Sequence, residues 1–302
     1  MADDEARKQD LEQALAADAG AVEAELGLIL PPSDAPFARV IEAMRYAAFA
    51  GGKRLRPFLV LESARLFGTP REGALRVAAA IEMLHTYSLV HDDLPCMDDD
   101  DLRRGKPTTH RAFDEATAVL AGDGLLTLAF GVLADEAVSP DPQRRIRLIA
   151  RLAEAAGARG MIGGQMMDIL APQATYDRAD VMLLQRLKTG ALFEFSAEAG
   201  AVLAGADEEH GRRLRLYARD MGLAFQIADD LIDATGSSEK AGKSVGKDAG
   251  QGKATLLALL GLDGARAEVE RLANACQDHL APYGEKGRRL AYLPRLLVDR
   301  AH

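Results

Sequence analysis

The chain has 302 residues, 48% hydrophobic and 27% charged, a soluble globular composition with room for a large core. Its 46 acidic residues outnumber 37 basic ones, and a net charge of -9 argues against nucleic acid as a partner, because a phosphate backbone calls for a basic face. Two cysteines, Cys96 and Cys276, are too few for a disulfide framework and suit a reducing cytoplasm, the polar stretch from Met1 to Asp10 lacks an apolar signal core, and no charge-free apolar run reaches the roughly 18 residues that span a bilayer.

Apolar residues recur at helical spacing along nearly the whole chain, and sustained alternation is hard to find. The spacing predicts helices near 10–30, 36–50, 56–67, 72–94, 116–136, 143–159, 178–203, 209–234, 254–281 and 286–299. Breaks fall at Pro31-Pro32-Ser33, Gly51-Gly52, Gly68-Thr69-Pro70, Ser139-Pro140-Asp141-Pro142 and Gly205-Ala206-Asp207. Gly160 to Asp168 reads as a helix packed closely on a neighbour, with Gln165 and Asp168 either facing a site or serving structure. Gly236 to Gly252 is the one long breaker-rich stretch. Trp is absent and aromatics are 5%, so aliphatic side chains must fill the core. No repeat or linker divides the chain, and the expectation is one all-α domain over 1–302.

Chemistry concentrates in two aspartate-rich stretches, Asp92-Asp93-Leu94-Pro95-Cys96-Met97-Asp98 and Asp229-Asp230-Leu231-Ile232-Asp233, each directly after an apolar run. Carboxylates ending apolar helices are costly unless a cation neutralises them. His85 and Asp92 are seven apart, two helical turns, and share a face with Ser88 between them. Pro95 must end or kink that helix, which lets Asp98 swing back toward Asp92. Asp229 and Asp233 are i,i+4 neighbours, a spacing that repels in an isolated helix and turns favourable around a bound cation. A solvated acidic turn or a helix cap is the plain alternative for each stretch. The pairing of the two argues for opposite walls of one divalent-metal and phosphate site.

Basic groups flank these acids. Gly51-Gly52-Lys53-Arg54-Leu55-Arg56-Pro57 is a turn opening a helix, either a diphosphate cradle or an ordinary solvated turn. Arg103-Arg104-Gly105-Lys106 either faces an anion or neutralises Asp98 to Asp101. Lys188-Thr189-Gly190 interrupts an apolar helix with a lysine that snorkels or meets a ligand. Lys243, Lys247 and Lys253 lie in or beside the breaker-rich stretch, which is a loose loop or a lid closing on phosphate. Gly242-Lys243-Ser244 lacks the upstream glycine of a Walker loop.

Together these residues resemble the trans-prenyltransferases, the short-chain isoprenyl diphosphate synthases, over nearly the whole chain, with the bacterial farnesyl-forming members the nearest likeness. Gly51 to Pro57 resembles the family's homoallylic diphosphate site. His91 to Gly105 resembles its first aspartate-rich motif, in the bacterial form with two extra residues between aspartates, and Phe225 to Asp233 its second. Gly163 to Asp168 and Lys188 to Gly190 match in order. The resemblance implies the isoprenoid synthase fold, one large helical bundle around a central cavity. It implies Mg2+, three ions per site with Mn2+ able to substitute, on Asp92, Asp98 and Asp229 with Asp233 nearby. Arg103, Lys188, Lys243 and Lys253 would bind the allylic diphosphate. Gly52, Lys53, Arg56, His85 and Arg104 would bind isopentenyl diphosphate, and Thr189 and Gln226 would face the reacting carbon. Lys247 receives no role. The family is usually homodimeric.

The implied reaction joins dimethylallyl or geranyl diphosphate to isopentenyl diphosphate through an allylic cation. Metal ions and fixed Lys and Arg stabilise the leaving diphosphate, and an apolar cavity keeps water out. The double bond of isopentenyl diphosphate attacks, and the departing diphosphate takes the proton, so no protein nucleophile is required. A class I terpene cyclase carries a different second motif and has no need of Lys53 and Arg56. A histidine–aspartate phosphohydrolase needs clustered histidines, and only six are scattered here. A non-catalytic partner subunit would be expected to have lost one acidic motif, and both are intact.

Tyr87 stands five residues before Asp92, about 7.5 Å deeper along the axis. In the family a bulky aromatic there, with Ser88 beside it, floors the chain pocket and implies a fifteen-carbon product; a geranylgeranyl-forming enzyme is the alternative. Tyr87→Ala is therefore expected to lengthen the product. Chromatography showing unchanged chain length would count against a floor at this residue.

Overall fold

The computed structural model describes residues 2–235 and 256–296. Helix α1 spans Ala2–Ile29 and starts earlier than apolar spacing predicts, because its first two turns are polar yet rich in Ala, Glu, Arg and Lys, good helix formers. Then come α2 (Ala38–Ala48), α3 (Leu55–Leu66) and α4 (Arg71–Asp92). A short antiparallel pair follows, β1 (Leu102–Arg103) and β2 (Lys106–Pro107), with Arg103 opposite Lys106. The helical periodicity did not foresee this hairpin. Its two-residue turn is Arg104-Gly105, with φ of 54° and 75°, the left-handed pair that suits a tight hairpin.

Helices α5 (Thr109–Ala112), α6 (Glu115–Ala134), α7 (Pro142–Ala156), α8 (Met161–Leu170) and α9 (Arg178–Gln185) lead to a π-turn at Arg186–Gly190, continued directly by α10 (Ala191–Ala204) and then α11 (Glu208–Thr235). Helix α12 (Leu256–Leu280) is interrupted at Gly261, whose φ is 68°. Of the terminal helix expected over 286–299, a tight turn, Ala281–Gly287, takes the entry and a short α13, Arg288–Tyr292, follows; the chain turns at 293–294 and is helical again at 295–296, and 297–299 lie outside the described residues. Gly284 at φ 52° breaks the entry, and Pro294 withholds a backbone donor just past the exit.

Local signals set most boundaries. The Asp114 carboxylate accepts from the Thr117 amide at 2.7 Å to cap α6, and Asp141 accepts from Gln143 at 2.9 Å to cap α7, with Pro142 in its first turn. Gly205, φ 67°, closes α10.

Neighbouring helices succeed one another in the order α6, α4, α3, α10, α11, α12. Helix α4 is central and almost wholly buried, with Val77, Ala78, Ala79, Ala80, Ile81, Met83 and Leu84 inaccessible. Its small side chains let neighbours approach, which is how a chain without Trp packs densely. Helix α10 sits so close to α3 that a Cβ on Gly200 would lie 2.3 Å from the Ala64 nitrogen. By length and composition α6 could cross a membrane; here it lies against α4 and buries Ala118, Ala121, Leu125, Ala129 and Leu133. The C-terminal end of α4 thereby becomes a fixed platform with α3, α6 and the hairpin around it.

Candidate active site

The first acidic stretch folds back as Pro95 requires. Helix α4 ends at Asp92, and the Asp98 amide donates to the Asp92 carbonyl at 2.8 Å. Asp99, at φ 50°, and Asp100 tie the loop down by donating to the Leu94 and Asp93 carbonyls at 3.2 and 3.3 Å. Asp98 is exposed and Asp92 half-buried. Burial pushes the Asp92 carboxyl up to about 6; Lys188 and Arg103 pull it down, while Asp98 and Asp93 add to the rise. Asp93, which sequence reasoning left without a role, is buried and holds Arg103 in a forked pair, Nε to Oδ1 and Oδ2 at 2.8 and 2.9 Å and Nη2 to Oδ1 at 2.5 Å. The guanidinium is thereby aimed before any ligand arrives.

A cationic wall stands opposite the hairpin. Arg104 donates to the Gly51 carbonyl, and a Cβ on Gly52, φ 128°, would fall 2.5 Å from the Arg104 guanidinium. Glycine at 52 is therefore what lets the hairpin reach the turn before α3. Arg54 and Arg56 have opposite fates. Arg54 is buried in a left-handed conformation, pairs with Glu82 and donates to the Ala48 carbonyl at 2.7 Å, so it is a strut. Arg56 lies over the Phe193 ring at 4.6 Å, 3.3 Å from His85 Nε2, and its Nε has no hydrogen-bond partner among the described residues. Burial lowers Arg56 to about 10, with Glu82 opposing and Arg104 adding to the fall. His85 is held well below the ordinary imidazole range, first by burial and then by Arg56, Arg104, Arg103 and Arg54, so it is neutral near pH 7. Exposed Lys53 sits 5.3 Å over Phe225, at the rim of an apolar cavity of about 360 Å3 walled by Leu15, Leu55, Met221 and Leu293. Arg54, Asp99 and Arg104 are the non-glycine residues with left-handed backbone among those described, and all three shape these loops.

The third wall is the π-turn. Gly164 of α8 packs so tightly on it that a Cβ would lie 2.2 Å from the Lys188 amide nitrogen. Lys188 Nζ meets Asp168 at 2.5 Å, and Lys188 is the strongest cation acting on Asp92. The neighbouring Thr189 hydroxyl donates to Gln226 Oε1 at 3.4 Å, and Gln226 Nε2 donates to buried Asp230 at 3.1 Å. Lys188 thus acts on the first aspartate stretch through its charge, while adjacent Thr189 is hydrogen-bonded to the second through Gln226, and Asp229 is exposed beside Asp230. The side chain of Asp233, and the whole of Lys243, Lys247 and Lys253, lie outside the described residues. The Ser88 hydroxyl donates to the His85 carbonyl at 2.8 Å. Buried Tyr87 meets the His91 ring edge-on at 5.5 Å, and its hydroxyl is raised by burial and by Asp92 and Asp123.

This donor set fits a hard divalent cation. Carboxylate oxygens are its preferred ligands, and the opposition of Asp92 and Asp98 is what a bound cation relieves. Among the described residues no three His, Cys, Asp or Glu side chains gather as one complete metal cage. A site of one or two carboxylates completed by water and substrate phosphate is the Mg2+ pattern.

Residues 38–288 match the polyprenyl synthetase family. The chain is 46% identical to the farnesyl diphosphate synthase of Geobacillus stearothermophilus over 295 residues, covering 97% of this chain and 98% of that one. It is 42% identical over 264 residues to a chloroplastic geranylgeranyl pyrophosphate synthase of Catharanthus roseus, covering 87% and 74%. A solved structure described as an FPP/GFPP synthase from Zymomonas mobilis superposes with TM-score 0.89 at 47% identity, covering 96% of this chain and 99% of that one.

The raised Asp92 carboxyl gives a signed prediction for the metal-free protein. Between its ordinary 3.8 and about 6 the folded chain binds more protons than the unfolded one, so stability falls as pH rises through that window. Asp92→Asn is expected to flatten this slope and to stabilise the metal-free protein at neutral pH by up to about 3 kcal/mol. Urea unfolding in a chelator at several pH values measures both, and an unchanged slope would contradict the assignment.

Proposed function

The chain belongs to the polyprenyl synthetase family, and from that premise we propose that it condenses an allylic diphosphate, dimethylallyl or geranyl, with isopentenyl diphosphate to give farnesyl diphosphate and pyrophosphate. The observation that carries this reading is that Lys188 acts on Asp92 while the adjacent Thr189 is hydrogen-bonded through Gln226 to Asp230, with Arg104 in the field of Asp93 and Arg56 in the field of Arg104. Like the family, it depends on divalent metal; three Mg2+ per site, replaceable by Mn2+, would be held by Asp92, Asp98, Asp229 and Asp233. Bound there, the ions would neutralise charge on the allylic diphosphate and favour its departure.

The chain's own residues do the rest. Arg103, aimed by Asp93, and Lys188, aimed by Asp168, donate to the diphosphate as its charge grows. Lys243 and Lys253 belong to the same role. Arg56, Arg104, Lys53 and the backbone at Gly52 hold the second diphosphate, with neutral His85 beside Arg56 as donor or acceptor. Thr189 and Gln226 orient the reacting carbon, and the Tyr87 ring limits chain growth, with Ser88 alongside. No side chain is asked to act as nucleophile or base.

We also propose a homodimer in the cytoplasm. The outer rows of α8 are apolar and open, with Ile162 48%, Met166 54% and Ile169 41% exposed, and α6 exposes Leu120 at 58%. Single exposed apolar residues are ordinary, whereas a whole helix face of them marks an interface.

Incubating the protein with geranyl and isopentenyl diphosphates and Mg2+ should yield farnesyl diphosphate, read as farnesol after hydrolysis. Absence of a condensation product, or a product mostly of twenty carbons, would overturn the reaction or the chain length respectively. Asp229→Ala should lower turnover at least about a hundredfold while leaving the fold intact by circular dichroism. In sedimentation the wild type should run as a dimer, and Met166→Glu with Leu120→Glu should run as a monomer; a monomeric wild type ends the dimer proposal.

A further inference from the structure

We propose that Gln165 is a binding residue for the allylic diphosphate, a role that rests on the prenyltransferase reading. Helix α8 has two faces. Ile162, Met166 and Ile169 point outward, while Met161, Gly164, Gln165 and Asp168 recur at i, i+3, i+4 and i+7 and turn inward. Two of these inner residues engage the π-turn, Gly164 by close contact with the Lys188 backbone and Asp168 by its ion pair with the Lys188 ammonium. Gln165 lies between them in sequence and on the same face.

Its carboxamide is the anomaly. Nε2 and Oε1 are both buried, and neither has a hydrogen-bond partner among the described residues. A buried amide without partners loses its hydration and recovers nothing, and a thioether or alkyl chain of similar size would fill the space at no such cost. The stability of the empty protein therefore gives no reason for Gln165. A diphosphate on Lys188 does: Nε2 donates to one of its oxygens, and Oε1 accepts from a water that the same anion orders. A neutral amide suits this place because it adds a donor without competing for Asp168 or shifting the charge balance around Asp92.

The test separates ligand binding from structural support, because the two predict opposite changes. Gln165→Met keeps shape and removes both polar atoms, and Gln165→Glu keeps shape and adds a charge. Thermal unfolding is measured with and without Mg2+ and inorganic pyrophosphate, alongside KM for each substrate. Without ligand, Gln165→Met should melt at or above the wild-type temperature. Its pyrophosphate-induced rise should be less than about half the wild-type rise. KM for geranyl diphosphate should increase about tenfold, while that for isopentenyl diphosphate stays within about twofold. Gln165→Glu should lose the rise altogether. A Gln165→Met protein that retains the full rise and both KM values refutes the proposal. So does one that melts several degrees lower when empty, since the amide would then have a structural partner. If the prenyltransferase reading itself were at fault, wild type would show neither condensation nor a pyrophosphate-induced rise.

Discussion

The structure depends on charge that the protein holds unbalanced. At the end of α4 burial raises the Asp92 carboxyl and Asp98 adds to the rise, and beside the hairpin burial lowers Arg56 and Arg104 adds to the fall. Neither set collapses onto the other. The charges around them are pinned by partners of opposite sign: Asp93 holds Arg103, Asp168 holds Lys188, and Glu82 holds Arg54. The excess left over is anionic on one side and cationic on the other. Two diphosphates and divalent cations are the species that satisfy both at once, and a preorganised field of that kind is what a departing diphosphate needs.

Holding like charges together requires a scaffold that cannot relax. The Ala-rich α4 and the close approach of α10 to α3 at Gly200 supply that stiffness. At the site the same device recurs at the scale of single atoms. Gly52 makes room for the Arg104 guanidinium, and Gly164 makes room for the Lys188 backbone. The π-turn at Arg186–Gly190 inserts an irregularity between α9 and α10 that presents Lys188 and Thr189 to the site, where a regular helix would carry them round.

Much of this was legible in the residue order, because the informative signals were local. Seven residues from His85 to Asp92 fixed a shared face, Pro95 dictated the return of Asp98, and Gly160 to Asp168 announced a close contact that Gly164 makes. The hairpin at 102–107 escaped, since four paired residues leave no periodicity and its signal was only the Arg104-Gly105 turn. Asp93 and Arg54 escaped for a different reason. Both sit inside motifs whose other members the family resemblance assigns to ligand, and local residue order alone does not say what the remaining carboxylate or arginine will hold. That choice is made by burial and by a partner distant in the chain, Arg103 for one and Glu82 for the other.

Arg54 and Arg56 show why motif membership and ligand contact must be argued separately. Arg54 spends its charge on Glu82 and the Ala48 carbonyl and lies in a left-handed backbone that an L-residue adopts reluctantly. That strained position opens α3 at the register that sends Arg56 toward His85 and Phe193. Arg56, by contrast, has an aromatic face and a neutral imidazole as neighbours, so its charge is shielded from water without being neutralised. A half-buried cation left in that state is a cost to the protein alone and a gain when an anion arrives. The strut and the ligand-facing residue are therefore one device, in which the first supplies the rigidity that keeps the second uncompensated.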